Sequence, residues 1–223
     1  MKKLMIVTAL LASSSSLFAT NIIHTGLDAS RALSIEIKAD GSVRTVKAGV
    51  GELLVDGTDL IDVFCVNLFT TININQTYTA NSIDAGVYDF DGSQAAWLMA
   101  TYLPVINAAP VADRRVEGAA LQLAIWDMIH DGGDGFKSGR IQSSLNTNSS
   151  VLALANQWRL EALDETGTAK VYTAAAGTRV FQQQMYLTSE GGEVPEPGTF
   201  AMLLIGGLGV GFGAWRRNRQ TVN

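Results

Sequence analysis

Residues 113–130 read DRRVEGAALQLAIWDMIH, with apolar side chains recurring three and four positions apart, the period of a helix with a buried face. Residues 92–107, GSQAAWLMATYLPVIN, repeat that period, and Asp91 or Ser93, and Asp113, are placed to cap the two starts. From Gly118 to Ile129 only Gln122 and Asp127 carry polar side chains. Gln122 shares a helix face with Ala119, Ile125, Trp126 and Ile129, so its carboxamide is expected to be buried. A buried amide without partners costs about 1–3 kcal/mol. Gln122 must therefore be hydrogen-bonded, or chemically changed.

Outward from these helices the period falls to two. Ala32 to Lys38 alternates apolar and polar residues, Asp40-Gly41 offers a hairpin turn, and Val43 to Val46 resumes the strand. Glu52 to Val55 and Leu60 to Val66 bracket Asp56-Gly57 in the same way, and the β-branched stretch Thr70 to Thr79 reads as a further strand. Downstream, a Gly/Asp loop over 131–139 leads to a helix at Ser150 to Leu163. Lys170 to Tyr172 and Thr178 to Thr188 then return to strand-like composition. Strands, helices, strands predicts an α+β domain over residues 20–190: antiparallel strands, barrel- or sandwich-like, with an inserted helical subdomain. No internal repeat is visible.

The chain has 223 residues, 16 Lys+Arg, 21 Asp+Glu and one Cys, with 47% hydrophobic and 17% charged residues. Those proportions exclude a disordered or collagen-like chain, and the length suits one sizeable domain. A net charge of −5 argues against nucleic-acid binding. One cysteine excludes an internal disulfide and a cysteine-based zinc site.

Both ends read as addresses rather than fold. Residues 1–19, MKKLMIVTALLASSSSLFA, place Lys2 and Lys3 before a short apolar run and end on small residues, as a secretory signal peptide does. Residues 191–198 form a linker, and 199–215 run without charge to Trp215. That span meets the lower limit for a transmembrane helix, about 17 residues. The basic tail 216–223, with Arg216, Arg217 and Arg219, would hold its end on the cytoplasmic side. Val194-Pro195-Glu196-Pro197, then an apolar helix, then arginines resembles the PEP-CTERM sorting signal of Gram-negative bacteria. The resemblance implies recognition by an exosortase, removal of the tail, and display at the cell surface or in an exopolysaccharide-rich biofilm matrix. Without Lys2, Lys3, the three arginines and Glu196 the exported part keeps 11 basic against 20 acidic side chains, a net −9.

Cys65 lies in the apolar strand Asp62-Val-Phe-Cys-Val-Asn67. Phe64-Cys65 together with Gln122-Leu-Ala-Ile-Trp126 resembles the thioester domains of bacterial surface adhesins, in which an aromatic-flanked Cys in a strand precedes a helix carrying Gln-x-Ala-Ile/Val-Trp. The resemblance spans roughly residues 60–187, with Leu121 standing where the best-known Gram-positive members have Thr. It implies an internal thioester between Cys65 and Gln122 that captures an amine-bearing surface or matrix macromolecule once, without turnover. Phe64 and Trp126 are then expected to shield the bond, and Asp127 and His130 to position the amine or move its proton.

Other readings compete. Cys65 and Trp126 also suit a plain core, giving a non-reactive structural matrix protein. Cys65 with His130 would make a hydrolase, although no local protease signature surrounds the cysteine. Asp89-Phe-Asp-Gly92 and Asp131-Gly-Gly-Asp-Gly135 faintly resemble calcium loops but lack EF-hand spacing and the distal glutamate, and they read as caps and turns. No metal and no cofactor is expected.

Overall fold

The computed structural model describes residues 19–188. The expected signal peptide, Pro195-Glu196-Pro197, the apolar span 199–215 and the arginine tail lie outside them. Among the described residues no helix is long and apolar enough to cross a membrane.

In chain order the elements are β1 (Thr20–Ala39), β2 (Ser42–Val55), β3 (Asp59–Cys65), β4 (Thr77–Asp84), α1 (Ala85–Tyr88), α2 (Gly92–Ala108), α3 (Val111–Asp131), β5 (Ile141–Ser143), α4 (Ser149–Ala162), β6 (Lys170–Ala174) and β7 (Gln184–Tyr186). The sheet runs β2-β3-β7-β6-β4-β1-β5, and β1 also pairs with β2. Every pairing is antiparallel, so six strands close into a ring and β5 joins the far end of β1. Closure leaves those six strands without the free edge that invites aggregation. The helices are inserted between β4 and β6, as the change of sequence period implies.

The β1–β2 hairpin turns at Asp40 (φ 46°) and Gly41 (φ 77°). Positive φ at both positions gives the mirror-type turn whose twist matches its strands. Strand alternation then separates two cores. Ile22, Leu53, Val63, Tyr78, Ala80, Tyr172 and Phe181 cluster on one face, within the ring. Ile35, Ile37, Val50 and Phe64 face the helices, where they meet Leu98, Met99, Leu121, Ile125 and Trp158. Helix α3 lies very close to β1: a Cβ at Gly118 would stand 2.0 Å from the Arg31 carbonyl oxygen. Glycine there sets the depth at which α3, and Gln122 with it, seats on the sheet.

The structure departs from the sequence expectations at several boundaries. Strand β1 begins at Thr20, twelve residues before the first expected strand at Ala32, with register shifts between His24 and Gly26 and between Leu27 and Ala32. These irregularities interrupt the alternation that would have revealed it. The two short strands expected at 43–46 and 52–55 are one strand, β2, whose Ala48-Gly-Val-Gly51 stretch is buried on both faces and so does not alternate. Of the strand expected at Thr70 to Thr79 only the end from Thr77 is strand, and it continues as β4. Helix α3 starts at Val111 behind Pro110, earlier than the Asp113 cap implied, because proline's fixed φ and missing N–H suit a helix entrance. Asp91 does occupy the N-cap of α2, without a side-chain cap bond. Asn148 caps α4 by accepting from the Ser150 and Val151 N–H groups.

Candidate functional site

Strand β3 ends where β7 reaches it, with Phe64 opposite Met185 and Cys65 opposite Gln184. Helix α3 brings Gln122 to the same point, only 1% exposed. Its Nε2 donates to the Cys65 carbonyl oxygen at 2.7 Å, and its Oε1 accepts from the Cys65 N–H at 3.1 Å. The carboxamide thus behaves as an extra rung of the ladder: it satisfies two backbone groups, and they satisfy it. The reciprocal pair also fixes which end of the amide is oxygen and which is nitrogen. The electrophilic amide carbon is held against the residue that carries the sulfur.

Burial pushes the Cys65 thiol up to about 12, and the nearby Trp126 indole and the Asn67 N–H only partly oppose it. The Trp126 Nε1 is buried without a well-formed hydrogen bond to any acceptor, so it favours negative charge on the sulfur by proximity alone. At neutral pH Cys65 is therefore a thiol rather than a thiolate, although its side chain is not sealed from solvent.

Cys65, Gln122 and Trp126 open on one cleft of about 420 Å³, which His24, Lys47 and Gln184 also line. Its remaining walls are mainly Gly49, Gly51 and the loop 68–74. The cleft combines a thiol, an immobilised carboxamide, a covering tryptophan and a way in.

The other candidates lie elsewhere. Phe64 follows the alternation of β3 to the helix-facing core, where it is fully buried, and it does not line the cleft. Asp127 is fully buried on another side of α3, accepting from the Gly135 N–H at 3.3 Å and lying 3.9 Å from the Arg159 guanidinium. Burial is the main cause that pushes its carboxyl up to about 7. His130 packs edge-on against Phe69 at 5.1 Å, beyond the cleft wall, and burial lowers its pKa. Neither reaches the cleft that holds Cys65. The sequence reading missed His24, Lys47 and Gln184, because β1 was not legible that far upstream and the pairing of β3 with β7 is non-local.

Asp127, Asp131 and Asp134 bring carboxylate oxygens within 4.8 Å of one another. The Asp131 oxygens accept from the N–H groups of Arg140 and Ile141, both at 2.7 Å, and Gly132 caps α3 in the left-handed region. These contacts are those of a helix end and turn.

Residues 193–218 match the PEP-CTERM protein-sorting motif. That match covers Pro195, Glu196, Pro197, Arg216 and Arg217 and marks the chain for export and sorting through its C-terminus. Comparison with curated proteins finds no match. Among solved structures the chain is similar to the N-terminal thioester domain of fibronectin-binding protein SfbI from Streptococcus pyogenes. The likeness has a TM-score of 0.43 and 10% identity, covering 78% of this chain and 95% of that one.

Proposed function

We propose that Cys65 and Gln122 form an internal thioester, and that the exported domain uses it to bind an amine-bearing macromolecule covalently at the cell surface or in the biofilm matrix. The observation that carries the reading is the reciprocal hydrogen-bond pair between the Gln122 carboxamide and the Cys65 backbone, inside a cleft that solvent can enter.

The Cys65 sulfur attacks the Gln122 amide carbon, the C–N bond breaks, and the nitrogen leaves as ammonia with the thiol proton. An amide is a poor electrophile, and holding the partners in place can contribute about 7–11 kcal/mol toward the barrier. A primary amine then attacks the same carbon. The C–S bond breaks, an amide forms, and the proton lost by the amine returns to sulfur. Each molecule reacts once, so the domain is a covalent binder rather than a turnover enzyme. Trp126 covers the bond against water. Exosortase processing of the PEP-CTERM tail delivers the domain to the surface or matrix.

A second reading has its own observation. The same two hydrogen bonds give both polar atoms of a buried glutamine a partner, as an inert structural core requires. Intact mass of the exported protein, against a Cys65→Ala control, separates the two. The thioester reading expects a deficit of one ammonia in the parent alone, replaced by a methylamine adduct when methylamine is added. A full mass with an alkylatable thiol establishes the inert reading.

A further inference from the structure

The chemistry above needs a proton to leave sulfur and, later, a proton to leave the attacking amine. We propose that His24 is the proton acceptor for both steps; this rests on the thioester reading of Cys65 and Gln122.

Register places His24 on the same face as Cys65. His24 lies opposite Leu53; two residues along β2, Gly51 lies opposite Val63; and two residues beyond Val63 on β3 is Cys65. Alternation keeps all of them on one side of the sheet. The intervening β2 positions at the cleft are glycines. A Cβ on Gly51 would lie 3.1 Å from the His24 Nε2 and 3.2 Å from a Val63 methyl, so the missing side chain makes the space that the imidazole uses. His24 is 6% exposed, lines the cleft with Cys65, Gln122 and Trp126, and leaves its buried Nδ1 without a hydrogen-bond partner.

The surroundings keep the ring neutral. Burial lowers the His24 pKa, with no charged neighbour contributing. The titratable groups that share its cleft are the Cys65 thiol on β3 and the exposed Lys47 on β2. Glu52 and Asp62 fall on the opposite pleat of β2 and β3. Helix α3 contributes Gln122 and Trp126, β7 contributes Gln184, the loop 68–74 presents hydroxyl and apolar side chains, and β4 adds the buried Tyr78.

In the tautomer with hydrogen on Nδ1, the lone pair of Nε2, the ring nitrogen beside Gly51 on the side of β3, takes the S–H proton as sulfur bonds to the Gln122 carbon. The imidazolium then returns that proton to the departing nitrogen, which leaves as ammonia. On capture, Nε2 takes a proton from the attacking amine and passes it to the Cys65 sulfur as the C–S bond breaks. The ring ends neutral both times, and no outside reagent is consumed. His130 cannot substitute, since it stands outside this cleft.

The test follows methylamine capture by intact mass in the full chain purified after export, from pH 5 to 8, with rates expressed per unprotonated methylamine. The parent is expected to rise with pH and level off, with a midpoint below 6.5. His24→Gln is expected to react about 10²–10⁴-fold more slowly and without that midpoint, the usual contribution of a positioned base. His24→Ala is expected to regain rate when free imidazole is added, which a purely structural histidine would not explain. A parent profile flat across this range, or His24→Gln reacting at the parental rate, overturns the role of His24 while leaving the thioester intact. A parent without the ammonia deficit overturns the thioester, and His24 with it.

Discussion

Replacing Gln122 by Glu in a Cys65→Ala background separates the clamp from the chemistry, because neither protein can form a thioester. The introduced carboxyl has the shape of the amide but lacks its N–H donor, so as a carboxylate it sets an oxygen where Nε2 now donates to the Cys65 carbonyl at 2.7 Å. Protonated, it donates to that carbonyl and still accepts from the Cys65 N–H, restoring both bonds. Burial and the facing carbonyl both raise its pKa above the free value near 4.3. A rise of about two to three pH units is reasonable for a side chain this buried, and corresponds to roughly 3–4 kcal/mol. A folded carboxyl raised in this way leaves stability intact below the unfolded pKa. The stability is then lost as pH climbs through the folded one. Urea unfolding of Cys65→Ala and Cys65→Ala/Gln122→Glu should therefore nearly coincide at pH 4 and separate by about 3 kcal/mol at pH 8. A difference that stays constant from pH 4 to 8 would refute the clamp, since a carboxamide free to turn to solvent tolerates a carboxylate at any pH.

Trp126→Phe keeps most of the packing but uncovers the sulfur, and should shorten the lifetime of the thioester in water; mass spectra over time that match the parent would remove the shielding role. Gly118→Ala drives a methyl toward the Arg31 carbonyl at 2.0 Å, so α3 must lift. A loss of about 3 kcal/mol or more is expected in denaturant, together with a reduced yield of thioester. Asp127→Asn removes a buried carboxyl raised to about 7. The parent loses that stability as pH rises toward and through 7, so the variant should gain about 2–4 kcal/mol on the parent between pH 4 and 8 while capturing methylamine at the parental rate.

The sequence alone determined what depends on local period, composition and order. The helix over 113–130 was readable because its apolar residues repeat as a helix requires, and Gln122 stands out there as one of two polar residues in an apolar run. The Asp40-Gly41 turn was readable because two consecutive positive φ angles demand such residues. The sorting motif was readable because its parts occur in a fixed linear order. Tertiary structure decided the rest. Closing the ring sets β3 beside β7 across more than a hundred residues of chain, and no local pattern encodes that pairing. Asp127 and His130 follow Gln122 closely in sequence, yet Asp127 lies about 140° round α3 from it and His130 about two turns further along, and neither lines the cleft. His24, forty-one residues before Cys65, enters the cleft because strand alternation and an empty glycine position put it there. Proximity along a helix is angular as well as linear, and proximity across a sheet is a matter of register. Sequence distance pointed to His130 as Cys65's neighbour, whereas the histidine that shares the cleft with Cys65 in the fold is His24.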